Sequence, residues 1–332
     1  MAGKLRQRVR QWWPRLRRPL TLAFFALVLW LLVSQAMTVE WAEVGAAMRA
    51  LSGATLALAM ALVVASYLVY STYDLLGRAL TGHDLPATKV LSVSFVSYAF
   101  NLNFGALVGG MAFRFRLYSR LGLSAAVISR VLAMSVATNW LGYVFLAGAL
   151  LLGGVVTLPE SWVGAGLLRA VGGVLLLVFV AYMVLTWLAR IDEISVRELR
   201  MPLPSRSMAL LQAGLSTLNW MLMGAIMFLL LPEHEAVTYP VVLGALLLAA
   251  IAGVISHVPA GLGVLEAVFV AVLGNLVPRG ELLAGVLAYR ALYYLVPLLI
   301  AAVVFAVTEV AARRRGDADT RAGRTQPGSV DV

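Results

Sequence analysis

Ser256-His-Val-Pro-Ala-Gly-Leu-Gly-Val-Leu-Glu266 sets two glycines, a proline and a carboxylate inside an apolar run, and the backbone cannot simply continue as a helix there. Its flanks, residues 239–255 and 264–276, read as helices about as apolar as a lipid tail, so the break lies at membrane depth. Backbone N–H and C=O groups freed in hydrocarbon must be covered by protein or by a water-filled cavity, so such a break is tolerated mainly where a site is being built. Glu266 sharpens the point, because an ionisable side chain in a membrane segment costs at least about 2.5 to 3.5 kcal/mol on insertion scales and calls for a partner.

Composition agrees. Of 332 residues 61% are hydrophobic and 13% charged, with a mean hydropathy of +0.90, which describes an all-α polytopic membrane protein and leaves no room for a soluble domain of ordinary size. The formal charge of +10 is spread between apolar spans instead of forming one basic face, so it reads as a topology signal and not as a nucleic-acid surface. Cysteine is absent, which excludes disulfides, thiolate catalysis and Cys-ligated metals.

Residues 1–19 form a basic, cytoplasmic N-terminus with Lys4, Arg6, Arg8, Arg10, Arg15, Arg17 and Arg18. The apolar run 20–33 that follows is a signal peptide or an uncleaved first span; the long basic region and the interfacial Trp12 and Trp13 favour the uncleaved span. Further full spans are expected over 54–73, 124–156, 167–188, 208–231 and 281–311, which makes about six in a transmembrane domain of 20–311. The basic loop with Arg190, Arg197, Arg200 and Arg206 and the last Arg313, Arg314 and Arg315 then lie in the cytoplasm, and the acidic Pro232-Glu-His-Glu235 lies outside. Residues 312–332 read as a disordered cytoplasmic tail.

Two segments do not fit simple crossings. Residues 90–113 are interrupted by Asn101, Asn103, Gly105, Gly109 and Gly110 and closed by Arg114, Arg116 and Arg120; a simple crossing would place those arginines outside. A hairpin that enters from the cytoplasm and returns there removes the conflict. By the same accounting the Ser256 to Glu266 stretch belongs to a segment that enters and leaves on the outer side, either as a re-entrant hairpin or as one full span plus a half helix. Residues 54–150 and 207–305 thus share a plan of span, interrupted hairpin and long span, as inverted repeats. Paired interruptions in inverted halves point to a transporter site near the midplane.

The candidate substrate-binding residues gather at these breaks. Pro259, Gly261 and Gly263 lead into a half helix whose free N–H groups attract anions such as a phosphate head group. Glu266 in its first turn is a proton-coupling or amine-binding carboxylate, or else an acid that caps the helix. His257 stands beside the break as a proton-sharing or a structural hydrogen-bonding group. Arg290 is too far from both ends of the last span to be a topology signal; Glu266 is its natural partner and a lipid phosphate a competing one. Pro297 frees the carbonyl of Tyr293, which with Tyr289 and Tyr294 surrounds Arg290 with phenols. At the first break Arg114 and Arg116 grip anionic lipid or only hold orientation, while Asn101, Asn103 and Asn139 can satisfy freed backbone groups, Asn101 also being a candidate substrate contact. Tyr67, Tyr70 and Asp74 share a helix face and suit an interfacial aromatic belt with a flanking charge.

No Gly-x-Ser-x-Gly, His-Glu-x-x-His or Walker-type loop occurs, and His83, His234 and His257 are too scattered for a metal site, so no catalytic residue, metal or cofactor is expected.

The runs Val96-Ser-Tyr-Ala-Phe-Asn-Leu-Asn-Phe-Gly105, Phe113-Arg-Phe-Arg-Leu-Tyr-Ser-Arg-Leu-Gly-Leu-Ser124, Pro259-Ala-Gly-Leu-Gly-Val-Leu-Glu266 and Tyr289-Arg290 resemble the lysylphosphatidylglycerol synthase transmembrane-region family, most closely its single-domain inner-membrane members. The Pro-x-Gly-x-Gly-x-x-Glu piece is the most specific, and Ala260 stands where such motifs often have another glycine. The resemblance implies a flippase-like domain with re-entrant helices, whose partner is a membrane phospholipid or a lipid-linked substrate. Full-length synthases append a soluble aminoacyl-transfer domain; only a short polar tail follows Ala311 here, so aminoacyl-lipid synthesis by this chain alone is not expected. A lipid-modifying transferase, or an accessory subunit with a lipid-synthesis enzyme as partner, is the alternative.

Overall fold

The computed structural model describes residues 41–156, 164–188, 193–196, 199–202, 204–256 and 258–309, with Ala26, Trp30, Val33, Ser34 and Met37 before them. The expected first span over 20–33, apart from isolated positions, lies outside these residues, as do His257 and the tail 312–332.

The helices start and stop where local chemistry directs. Helix α1 (Trp41–Ala50) precedes Ser52, whose hydroxyl accepts the Thr55 N–H and caps α2 (Gly53–Ser71). Helix α3 (Tyr73–Thr81) follows after one residue and ends on Gly82 in the left-handed conformation. Pro86 leads into α4 (Ala87–Gly105). Gly105 then turns at φ 81°, and a π-helical stretch (Ala106–Ala112) runs into α5 (Phe113–Arg120). Ser124 caps the long α6 (Ala125–Leu152), and α7 (Ala165–Leu188) returns beside it.

Between α7 and the next helix, where the sequence suggests only a polar loop, strands β1 (Glu193–Val196) and β2 (Leu199–Pro202) form an antiparallel hairpin. Ser205 caps α8 (Arg206–Leu230). Then come α9 (Tyr239–Ser256), a turn of 3-10 helix (Pro259–Gly261), α10 (Val264–Leu273) and α11 (Arg279–Glu309), with a π-helical segment at Arg290–Leu295.

Six helical stretches among the described residues are long and apolar enough to cross a membrane: Gly53–Thr81, Ala125–Leu152, Ala165–Leu188, Arg206–Leu230, Tyr239–Ser256 and Arg279–Glu309. The protein is therefore an all-α polytopic membrane protein. Helix α9 is long and apolar enough to cross, and the short apolar α10 follows the turn at Pro259.

The chain divides into a unit of residues 1–46 and a unit of residues 47–332. Within the larger unit, close approaches at glycine set the packing. A Cβ on Gly142 of α6 would lie 2.4 Å from the Ser216 backbone carbon of α8, and one on Gly172 of α7 would lie 2.4 Å from the backbone nitrogen of Leu152 in α6. Such contacts let helices associate through backbone proximity, which lipid tails cannot outcompete. Ser216 donates to the Asn139 carbonyl at 2.9 Å and accepts the Gly142 N–H at 3.0 Å. Helix α7 shows lipid a face of Leu167, Val174, Leu177 and Leu188.

Candidate functional site

The second break is built from three residues with positive φ, Ala260 (φ 55°), Gly261 (φ 58°) and Gly263 (φ 76°); the Gly263 carbonyl starts the α10 ladder by accepting the Ala267 N–H, and those of Ala260 and Gly261 face elsewhere. The conformation is free for glycine and costs a β-carbon-bearing residue about 1–2 kcal/mol, so Ala260 holds modest strain. What uses the freed carbonyls is Arg290 of α11. Its Nη1 donates to the Ala260 carbonyl at 3.0 Å and its Nη2 to that of Gly261 at 2.7 Å.

The remaining guanidinium edge forks onto Glu266: Nε to Oε1 at 2.6 Å and Nη2 to Oε2 at 3.0 Å. The Glu266 carboxylate, placed in the first turn of α10, therefore reaches the arginine that its position in the sequence called for. Tyr294 adds its ring face, with the guanidinium carbon 5.8 Å from the centroid. The Arg290 side chain is 8% exposed and that of Glu266 26%, so the acid is the more open pole of the pair. Helix α4 packs against both the Pro259–Gly261 turn and the π-helical segment of α11, which brings the first interrupted segment against the second break.

Pro297 itself has no N–H to give to the helix, and the Tyr293 carbonyl four residues before it accepts the Tyr67 hydroxyl at 3.0 Å, while the Tyr294 carbonyl accepts the Asn103 amide at 3.2 Å. The Tyr293 hydroxyl in turn meets Ser66 at 2.8 Å and Tyr98 at 3.0 Å, and Ser66 donates to Asn219 at 2.8 Å. Tyr70 stacks on Tyr98 with ring centroids 3.4 Å apart. Four helices, α2, α4, α8 and α11, are thus joined in one buried polar core. Tyr67, Tyr70 and Asp74 are buried, which corrects the interfacial-belt expectation. The spacing of the three residues was right, but an ionised carboxylate has found an internal partner instead of the headgroup region.

That partner is Arg114. Its Nε and Nη2 each meet one Asp74 oxygen at 3.1 Å, Nη2 also meets Ser135 at 3.1 Å, and Nη1 reaches the Gly110 carbonyl at 3.4 Å. Tyr118 donates to Asp74 at 2.9 Å. The two side chains are 2% and 0% exposed, so the structure gives Arg114 an interior role that neither lipid-gripping nor orientation anticipates. Arg116 pairs with Glu309 at the end of α11 at 3.2 Å, and Arg120 forks onto the same carboxylate, Nη2 to Oε1 at 2.6 Å and Nη1 to Oε2.

Asn101 packs against Gly110, where a Cβ would lie 2.8 Å from its Oδ1, and a Cβ on Gly109 would lie 2.2 Å from the Phe100 carbonyl. The backbone of Asn139 accepts from both Ser216 and Trp220.

Of the sequence candidates, Glu266, Arg290, Gly261 and Gly263 assemble around one turn, which the backbone of Pro259 opens. Tyr293 lies one helical turn away in the polar core, whereas Asn101, Arg114 and Arg116 belong to the first interrupted segment. Ser66, Tyr98, Asn219 and Glu309 were not singled out from the sequence. Glu309 alone left a signal, an acid in the final turn of a span whose flank is basic.

Comparison with known proteins adds an independent line. Residues 20–301 match the lysylphosphatidylglycerol synthase TM region. The chain is 45% identical over 304 residues to Escherichia coli inner membrane protein YbhN, covering 91% of this chain and 95% of that one. It is 32% identical over 277 residues to Synechocystis protein slr0712, covering 83% of this chain and 86% of that one. A Staphylococcus haemolyticus phosphatidylglycerol lysyltransferase is 23% identical over 245 residues, which is 71% of this chain but 27% of that enzyme.

Proposed function

We propose a lipid-translocating role on the premise that this chain belongs to the lysylphosphatidylglycerol synthase TM region family. The protein acts as a flippase-like translocase of a phospholipid or lipid-linked substrate in the bacterial inner membrane, the membrane in the name of its Escherichia coli relative. One observation carries the reading: a guanidinium at the break is neutralised by a carboxylate that is itself partly exposed, with no hydrogen-bonding edge of Arg290 left idle.

A head-group phosphate is a bidentate acceptor of the same geometry as the Glu266 carboxylate, and it can take that place on Arg290. The N-terminus of α10, which begins just after the turn, favours the same charge. Exchange of the Glu266 carboxylate for the phosphate on Arg290 holds the lipid, and return of the carboxylate releases it. Two inverted halves, 54–150 and 207–305, each with an interrupted segment, provide the frame in which such a site alternates between leaflets. The distribution of arginines supports cytoplasmic chain termini in this reading.

The test is reconstitution of the purified protein in liposomes with fluorescent phospholipids, following their accessibility to dithionite. Wild type is expected to move lipid, and Glu266→Gln and Arg290→Ala to lose at least about tenfold in rate, as removal of one partner of a charge-assisted fork implies. Movement that both variants leave undiminished removes the basis of the reading.

A second reading rests on the lysyltransferase relative, in which a segment like this chain makes up about a quarter of an enzyme. Here the chain assists a lipid-synthesis enzyme and moves nothing itself. No lipid movement over several head groups would favour it.

A further inference from the structure

Helix α11 is held at three levels by three different parts of the chain. Arg290 ties it to the second break through Glu266 and the carbonyls of Ala260 and Gly261. Its middle turns are also bonded to neighbours, the Tyr293 carbonyl to Tyr67 and the Tyr294 carbonyl to Asn103. Glu309, about 29 Å beyond Arg290 at 1.5 Å per residue, ties its far end to Arg116 and Arg120 of α5, the helix that follows the first interrupted segment. Phe305 adds an edge contact to Phe113 of α5, with ring centroids 5.2 Å apart.

Between the two ion clusters lies the weakest stretch of the helix. Residues Arg290–Leu295 are π-helical and Pro297 follows, and these are the two commonest causes of a sharp helix bend. Each cluster also has a partly exposed member, the Glu266 side chain at 26% and that of Arg120 at 34%, whereas the Asp74–Arg114 pair is sealed. A sealed pair welds two elements together. A pair with a wet member can be exchanged for water or for another ion at far lower cost.

We propose that α11 is the moving element of the protein, with the 291–297 segment as the hinge and with Glu266–Arg290 and Glu309–Arg116–Arg120 as latches on the two arms that flank it. Releasing one latch opens the polar core around Tyr98 and Tyr293 to the membrane face on that side, while the other latch keeps the opposite face closed. The proposal rests on the translocase reading only for what passes when a latch opens; the motion itself stands on the contacts of α11.

The chain has no cysteine, so a single Ser97→Cys substitution puts one thiol into buried α4, next to Tyr98. Its labelling by a membrane-impermeant maleimide is followed from each face of oriented vesicles containing the full chain. Glu309→Gln is expected to raise the labelling rate about tenfold from one face, and Glu266→Gln by a similar factor from the opposite face, each by shifting the population toward one open form. Labelling unchanged in both variants, or raised equally from both faces, overturns the proposal.

Should Glu309→Gln fail to accumulate, Arg120→Gln weakens the same latch from its exposed side. A rise of about threefold from the same single face is then expected, and no rise is equally fatal. Lipid movement measured in the same vesicles separates the two claims. One-sided labelling without lipid movement retains the moving helix and removes the translocase. Lipid movement with flat labelling does the reverse.

Discussion

The two interrupted segments carry the same chemical device assembled the opposite way round. Beside the first, the guanidinium (Arg114) lies downstream of the interruption and the carboxylate (Asp74) on a neighbouring helix; beside the second, the carboxylate (Glu266) lies downstream and the guanidinium (Arg290) on a neighbour. Each guanidinium also donates to a carbonyl of the interrupted segment, Gly110 in one case and Ala260 and Gly261 in the other. Burial is where they part. Asp74 is fully enclosed and takes a further bond from Tyr118, while Glu266 has a side open to solvent. A fork of one guanidinium and one carboxylate is thus a structural weld or a candidate binding site according to whether one of its poles stays wet, because the cost of separating the charges depends on what can replace the lost partner.

The sharpest way to break this comparison is to remove the acid from each fork and compare stabilities by thermal unfolding in detergent. Asp74→Asn strands Arg114 without its counter-charge in a sealed site and should cost about 3–5 kcal/mol. Glu266→Gln should cost only about 1–2 kcal/mol, since water can take up part of the lost interaction. Equal losses at the two sites would erase the distinction.

A smaller effect is expected from Tyr293→Phe, which takes away the hydroxyl shared by Ser66 and Tyr98 and leaves buried groups short of a partner, for about 1–2 kcal/mol. If that loss is absent, the polar core does not join the two interrupted segments energetically. The smallest change is Ala260→Gly. Relief of the left-handed strain and the added freedom of the unfolded chain nearly cancel, so unfolding should shift by less than about 0.5 kcal/mol. A clear destabilisation would mean that the Ala260 methyl itself closes the turn.

How much of this was legible in the sequence varied with the range of the contact. Pro259, Gly261 and Gly263 announced the break, Pro297 announced the free carbonyl of Tyr293, and an arginine and a glutamate stranded in apolar runs announced each other. In lipid, an unpaired charge or carbonyl is so costly that its presence in the sequence implies a partner. Asp74 escaped this reasoning because it stands near a span end, where a charge can remain in the headgroup region. Its partner Arg114 escaped because three arginines in one short run also satisfy a topology rule. Ser66, Tyr98 and Asn219 gave no warning, since neutral polar residues are tolerated in membrane helices with or without a function.

The membrane character, the positions of most helices and the break at Ser256 to Glu266 followed from the sequence alone, which left Glu266 and a lipid phosphate as competing partners of Arg290. Hydropathy, glycine, proline and stranded charge are local signals, and the absence of water gives each of them one main outcome. Only the tertiary structure decided that Asp74 and Tyr67 turn inward, that α9 has the length of a full crossing, and that Glu309 gathers Arg116 and Arg120. Those results depend on which helix faces lie together, and that is set by close approaches such as Gly142 on Ser216 and Gly109 on Phe100, between residues far apart in the chain or folded back on one another. No local pattern records such contacts, because they are chosen by the shape complementarity of the assembled helices.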